Sequence, residues 1–573
     1  MINALGIAAL YLLGLHLFSI PLTGDQRVYV ATAYEMLRIH EWRWGVLFEQ
    51  WSFIKPPFQY WATILSWKVF GFSWWATLLP SVVALFVTVR ALDALTFEIS
   101  PDRPGGTRRP PLAGLVFAAT LGAMTFATTA QMEIHLVALG TVAWWAGVRY
   151  LRTEENALLF LSLVSAGLLS IVKSPLYSVL WCVSFLCFVL LQRRFDVLRR
   201  PRVWIALAVG VLIGSAWYAH AWWRAGEAFV HEFVMKESYF KQITGNNLSA
   251  SGLWGAFLVQ GLPWTFLVLA AAVGAGMSSK VRRRILLGVQ DYKRHLTPGD
   301  RRFWQLVFAM IVVSGAFFSW FPYRVSTYLF FVLPALGLIV DRFGERLIAQ
   351  KPVPAFIGVT GLIAGVLTFL ITAQASVVPQ LSESVLAGWA LSATFFVWTI
   401  TRTHVRAFAW TVLVTVTCVR LLLGTVGEVE AQSLRRALAE TNAKAIVFHG
   451  KWNHVWHEFA IWGAVTRRPA WRVDGSAALV EQLRRGNAVI LSDEEHQEQR
   501  AEMERILGSD ARLLRDTVWF RYARHKELGA LRKGFIKKWF DASIRLEPLT
   551  SDVITPFQRR FHVLVLSLAP RPS

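Results

Sequence analysis

Gly24-Asp25-Gln26-Arg27-Val28-Tyr29, then Tyr34-Glu35-Met36, then Lys55-Pro56-Pro57-Phe58-Gln59-Tyr60-Trp61 is the stretch that decides how this chain folds. It lies between the first two long apolar runs, and Asp25, Arg27, Glu35, Glu49 and Lys55 crowd into it. A chain built of apolar runs keeps ionisable groups at a membrane boundary where water, lipid headgroups or a reaction require them.

On both sides of this stretch the chain is mostly lipid-compatible. Its 573 residues are 55% hydrophobic, with mean hydropathy +0.43, which excludes an ordinary soluble protein. Candidate spans are 3–22, 74–96, 112–130, 134–151, 156–172, 176–191, 203–223, 259–278, 303–321, 325–340, 353–373, 384–400 and 407–425. That is roughly thirteen helices of bilayer length. The first run, from Ile2 to Leu22, lacks a basic leader and a small-residue cleavage site, so it is expected to be retained as a helix.

The net charge of +22 does not indicate nucleic acid. A nucleic-acid footprint clusters its basic residues on a water-exposed domain, whereas here they sit in short links between apolar runs. With the N-terminus in the cytoplasm, the basic links fall inside: Arg103, Arg108 and Arg109; Arg193, Arg194, Arg199, Arg200 and Arg202; Lys280 to Arg294; Arg342, Arg346 and Lys351; Arg402 and Arg406. This follows the positive-inside rule. It puts residues 23–73, 224–258 and everything after 425 on the outer side. Cys182, Cys187 and Cys418 all fall within apolar runs and suggest neither a disulfide framework nor a thiolate metal site.

Within the first outer segment, Asp25 to His40 places Tyr29, Ala33 and Met36 on one helical face, and a second helix is expected after Lys55-Pro56-Pro57. The chain divides into a membrane domain, 1–425, and a soluble outer domain, 426–573. In the latter, Ala445–Phe448 and Ala488–Leu491 read as buried strands, and Ala477–Arg485 and Glu495–Leu507 as helices, an α/β alternation. Arg532, Lys533, Lys537 and Lys538 interleave with apolar residues there, suiting either a helix on anionic lipid or a solvated basic face. His449, His454 and His457 are loosely spaced and unaccompanied by other ligands, so they read as surface histidines.

On these residues the chain resembles the GT-C superfamily of integral-membrane glycosyltransferases. Within it, the chain is similar to the lipid A aminoarabinose transferases and the protein O-mannosyltransferases. The elements that carry the resemblance are Asp25, Tyr34-Glu35-Met36, Lys55-Pro56-Pro57, Tyr60-Trp61 and Pro80-Ser81, and it extends to about residue 340. It implies a mainly α, polytopic GT-C fold with a C-terminal periplasmic α/β domain, in a bacterial inner membrane. It also implies inverting transfer of a sugar from a polyprenyl-phosphate carrier to an envelope lipid, glycan or protein. A transporter or flippase of lipid-linked sugars, or a relative that binds lipid without turnover, is the alternative.

The resemblance makes Asp25 the catalytic base, and a carboxylate suits that role because the acceptor hydroxyl must be oriented and deprotonated. Read locally, Asp25 is instead a helix N-cap. Glu133 falls where the family has a second acid, usually Asp; its local reading is a solvated helix end. The leaving phosphate needs positive charge, for which Lys55, Lys241 and Arg324 with Tyr328 are the expected donors. Arg324 also reads as a side chain reaching to the headgroups, and Lys173 is a weaker fourth cation. Tyr29, Glu35, Tyr60 and Glu237, from the same motifs, are expected to line the substrate site. Ser238 and Ile54 replace ligands of the divalent metal known in the aminoarabinose subfamily, so no cofactor is expected.

Overall fold

Most long apolar runs among the described residues fold as helices. The computed structural model describes residues 2–12, 25–47, 50–99, 111–240, 248–267, 269, 283, 296–348, 405, 406, 408–410, 412–414, 417, 434–439, 441–449, 463, 465–522 and 558–566. The helices are α1 (Ile2–Leu12), α2 (Gln26–Arg38), α3 (Phe58–Phe70), α4 (Trp74–Ile99), α5 (Ala113–Ala118), α6 (Leu121–Ala127) and α7 (Glu133–Thr153). They continue as α8 (Asn156–Val172), α9 (Pro175–Leu191), α10 (Pro201–Ala225), α11 (Ala250–Gln260), α12 (Pro298–Trp320) and α13 (Pro334–Ile348). Among the described residues, α4, α7, α10 and α12 are long and apolar enough to cross a membrane, and α8 and α9 are shorter apolar helices. The expected spans 353–373 and 384–400 lie outside the described residues, as do half of 259–278 and most of 407–425.

Two expected spans are not single helices. Residues 112–130 break at Thr120, whose extended backbone (φ −89°, ψ 148°) starts α6 and whose hydroxyl accepts from the Ala123 amide. A threonine that can cap locally competes with helix continuation. Residues 325–340 open as a loop and a short 3-10 turn, Tyr328–Val332, before α13 begins at Pro334. Proline suits the first helical position because its φ is preset and the amide it lacks would be unpaired there.

Pro80 lies inside α4 and leaves the carbonyl four residues earlier without its helical donor. The Ser66 hydroxyl of α3 donates to that carbonyl, Ala76 O, at 2.6 Å. The Ser81 hydroxyl reaches Thr129 O at 2.8 Å, joining α4 to the segment that leads into α7.

Helices α8 and α10 cross at backbone contact. A Cβ on Gly167 would come within 2.1 Å of Gly210 O, one on Gly210 within 2.4 Å of Leu163 O, and one on Gly214 within 2.6 Å of Gly167 O. Gly210 and Gly214 form a small-xxx-small pair, which lets membrane helices approach closely. The Ser170 hydroxyl bonds Gly214 O across the same crossing. We expect Gly210→Ala to force the helices apart and cost about 1–3 kcal/mol, measured as a lowered thermal midpoint in detergent.

Strands β1 (Gly45–Leu47) and β2 (Gln50–Ser52) pair as a hairpin, and among the described residues the C-terminal sheet has five strands: β3 (Ile446–His449), β4 (Ala470–Val473), β5 (Ala488–Ser492), β6 (Leu514–Tyr522) and β7 (Gln558–Leu566), in the order β4-β3-β5-β7-β6. It is parallel across β4-β3-β5 and antiparallel across β5-β7-β6. Two helices, α14 (Ser476–Arg484) and α15 (Asp493–Leu507), pack on one face. Alternation divides the sheet cleanly. Val447, Val489, Leu491 and Leu564 join the apolar cluster of α14 and α15. Ile446, Phe448, Ile490, Phe561, Val563 and Val565 join the large cluster that also holds the membrane helices. The basic stretch around 532–538 lies outside the described residues.

Candidate functional site

The charged segment after the first apolar run folds as α2, a two-stranded hairpin (Gly45–Leu47 paired with Gln50–Ser52), and α3. Tyr29, Ala33 and Met36 are buried along one face of α2, as the periodicity predicts. Tyr29 and Tyr60 meet across α2 and α3 with ring centroids 6.2 Å apart, and both are buried. The hairpin is held by the end of α10 and the segment that follows it. Glu232 accepts the Phe53 amide at 2.9 Å, and the Trp217 indole donates to Arg43 O at 2.8 Å. Trp44, Phe53, Trp217 and Phe229 close a small aromatic core between the two segments. Glu232 escaped sequence reading because its partner is a backbone amide in a distant hairpin.

Three helix starts meet on one side of the bundle. The Gln26 carboxamide accepts the Ala130 amide at 3.3 Å, setting the start of α2 beside the segment that enters α7. Phe58, the first residue of α3, packs its ring edge against His135 of α7 at 5.5 Å. Asp25, Lys55 and Glu133 stand at these three starts.

Asp25 is exposed and occupies the N-cap position of α2, yet its side chain makes no capping hydrogen bond. Lys55 is half-buried between the hairpin and α3, followed by the buried Pro56 and Pro57. Glu35 is buried and paired with Arg38 at 2.7 Å, on the opposite end of α2 from Asp25. Ile54, beside Lys55, is an alkyl side chain with no donor atom, so the residues here do not fit the subfamily's divalent metal and no step is assigned to one.

Glu133 is not a solvated helix end. It is 8% exposed and accepts from the Lys173 ammonium at 2.7 Å, with the Thr327 hydroxyl as a further partner. Lys173 sits at the C-cap of α8, 5.6 Å from the centre of the Tyr177 ring and 5.8 Å from that of Tyr328. The residue that sequence reading ranked last among the cations is therefore at the centre of a buried cluster. Its signal was a lysine at a helix end before Ser174-Pro175, which its buried partner on α7 does not announce.

Arg324 has a different setting from either expectation. Its guanidinium donates to Ser319 O at 2.7 Å and Phe318 O at 3.2 Å, with Leu248 O at 3.4 Å. These are carbonyls at the end of α12 and the start of the segment leading to α11, which a cation near a helix C-terminus stabilises. Tyr328 packs against Phe318 with ring centroids 4.7 Å apart and planes tilted by 37°. The structure thus brings Tyr328 to Glu133 and Lys173. Glu237 falls in the wide π-type helix Val230–Phe240, and Lys241 lies outside the described residues. A separate pocket of about 490 Å³, lined by Phe72, Trp75, Arg435 and Arg467 among others, contains none of the expected site residues.

A bundle of long apolar helices with a charged segment after the first, and a sheet-bearing C-terminal region, defines the class: the chain has the GT-C fold. Its backbone matches the crystal structure of ArnT from Cupriavidus metallidurans bound to undecaprenyl phosphate, with TM-score 0.68 at 14% identity over 100% of this chain and 99% of that one. The apo state of the same protein matches with TM-score 0.65 at 14% identity, over 87% of this chain and 94% of that one. At this identity the likeness establishes the fold. The family model described as dolichyl-phosphate-mannose-protein mannosyltransferase matches residues 54–220, a range that holds Lys55, Glu133 and Lys173. No curated protein sequence matches the chain.

Proposed function

We propose that this protein is a membrane glycosyltransferase that moves a sugar from a polyprenyl-phosphate carrier to a cell-envelope acceptor, with inversion, at the outer face of a bacterial inner membrane. The observation that supports this reading is the meeting of the α2, α3 and α7 starts through Gln26–Ala130 and Phe58–His135, the starts at which Asp25, Lys55 and the Lys173-paired Glu133 stand in sequence. The match to a structure holding undecaprenyl phosphate supports the carrier, and the mannosyltransferase family model supports sugar transfer.

In this reading the exposed Asp25 carboxylate receives the acceptor hydroxyl and takes its proton as the sugar carbon leaves phosphate. Lys55 meets the phosphate charge that develops on the departing carrier, with Lys241, Arg324 and Tyr328 as further contacts. Arg324 would have to exchange a carbonyl partner for phosphate, which its several donors allow. Glu133 orients the acceptor side through its fixed place beside Lys173. Tyr29, Glu35, Tyr60 and Glu237 shape the surroundings. Lipid A, another glycan or a protein hydroxyl serves as acceptor, and the polyprenyl tail lies against the bilayer.

The test is mass spectrometry of lipid that co-purifies with the protein, with Lys55→Ala beside the wild type. A polyprenyl phosphate species is expected with the wild type and reduced roughly 10–100-fold in the variant, the loss of one hydrogen bond to a charged group. Bulk phospholipid alone, unchanged by the substitution, would count against the donor site.

A further inference from the structure

The turn between α3 and α4 faces the C-terminal domain across the cavity of about 490 Å³. Phe72, Ser73, Trp74 and Trp75 line it from the turn, and Arg435 and Arg467 from the C-terminal region. Gly71 makes the turn, its φ of 79° ending α3, a backbone conformation glycine adopts without steric cost. Phe72 is then held between Trp67 of α3, with ring centroids 4.7 Å apart, and Tyr34 of α2 at 5.6 Å. Helix α4 starts immediately afterwards, at Trp74.

Positive charge reaches the cavity from both sides. The Arg467 guanidinium lies 5.4 Å from the Phe72 ring centre and donates to Phe72 O at 3.1 Å. Its backbone sits in the left-handed region, φ 57°, which few arginines adopt. Arg435 reaches the same loop, its Nε 3.5 Å from Val465 O, and both arginines are exposed. From the other side comes the start of α4, because the first amides of a helix lack carbonyl partners within it and carry partial positive charge. The Ser73 hydroxyl accepts one of them, that of Ala76, at 3.4 Å. Among the described residues no carboxylate lines the cavity.

We propose that this cavity binds the phosphate of an anionic membrane lipid, with Arg435 and Arg467 on the phosphate and the acyl chains along α3. Guanidinium forks match phosphate oxygens two at a time, a helix start suits the same anion, and basic pockets beside membrane helices take lipid headgroups. The surface next to the cavity selects a lipid over free phosphate. Trp61, Leu65 and Val69 recur every four residues on α3 and are 37%, 64% and 64% exposed, which makes one apolar stripe. Phe70, also exposed, continues the stripe and packs against the cavity residue Trp75 at 5.2 Å. A stripe that runs from alkyl groups through tryptophan to arginine follows a lipid from chain to headgroup, with tryptophan at the level of the interface. None of the residues assigned to sugar transfer lines the cavity, so lipid binding here does not depend on that activity.

The experiment is native mass spectrometry of the full-length protein in a neutral detergent, titrated with phosphatidylglycerol, with phosphatidylcholine and competing inorganic phosphate as separate arms. One saturable phosphatidylglycerol is expected, bound more tightly than phosphatidylcholine. It should be retained in Lys55→Ala, which sets it apart from the polyprenyl-phosphate site. Arg435→Gln with Arg467→Gln should weaken it about 10–100-fold, the loss of hydrogen bonds to a charged group. Leu65→Gln with Val69→Gln should weaken it as well. Equal uptake of phosphatidylcholine, loss of the lipid in Lys55→Ala, or affinity unchanged in the double arginine variant would overturn the site. Full displacement of the lipid by inorganic phosphate at equal concentration would show a free-anion site and overturn the lipid assignment. If the double arginine variant fails to fold, Arg435→Gln alone decides: unaltered affinity refutes the site.

Discussion

Asp25→Asn is expected to lower sugar transfer by roughly 10²–10⁴-fold, the range for losing a positioned general base, while polyprenyl phosphate still co-purifies. The substitution keeps the shape and removes the charge. Because the Asp25 side chain makes no capping hydrogen bond to α2, and is exposed, its loss carries little structural cost. An asparagine also caps helices as well as aspartate does. Stability should therefore hold while turnover falls, and that separation is the diagnostic. The measurement is a transfer assay with lipid-linked sugar beside thermal denaturation of the same preparations. Transfer near the wild-type rate would remove Asp25 as the base. A fall in transfer matched by loss of the folded protein would return Asp25 to a structural role.

What was legible in the sequence follows from range. The face of α2 that holds Tyr29, Ala33 and Met36 could be read because helical period and burial are local facts. The span 156–172 coincides with α8 because an apolar run between Glu155 and Lys173 has little alternative. The strands around Val447 and Val489 showed through as short apolar runs for the same reason. Local reading failed where a distant partner decides. The break at Thr120 depends on a side chain choosing to cap, and the link to Leu262 O from the Leu121 amide comes from a segment far along the chain. The surface reading of His449 is corrected: it is buried on β3 and bonded to Glu495 of α15 at 3.0 Å. His454 and His457 lie outside the described residues. The histidines that cluster with a carboxylate are instead His496 and His562, which only the β6–β7 register and the packing of α15 bring together.

The candidate site obeys the same rule. Asp25 and Lys55 were visible because their motifs are contiguous. The place of Lys173 was not, since its meaning depends on Glu133 lying across the α7–α8 pair. Arg324 was visible as a charge, but its three carbonyl partners are a property of how α12 ends.

Removing one partner of the Glu133–Lys173 pair should have the largest structural effect of any single substitution at the site. Glu133→Gln leaves a buried ammonium, and Lys173→Met leaves a buried carboxylate; each is expected to cost about 3–5 kcal/mol. The side chains are only 10% and 13% exposed, so solvent offers little compensation. Glu133→Gln with Lys173→Met removes both charges, and replacing a buried pair together is often close to neutral. The double variant should thus regain most of the stability that either single variant loses, read as thermal or denaturant midpoints in a double-mutant cycle. Transfer activity in that same variant then separates two roles for Glu133. If the pair only holds α7 against α8, activity returns with stability. If Glu133 orients the acceptor, the double variant folds and remains slow, because the carboxylate that faces the reaction is gone.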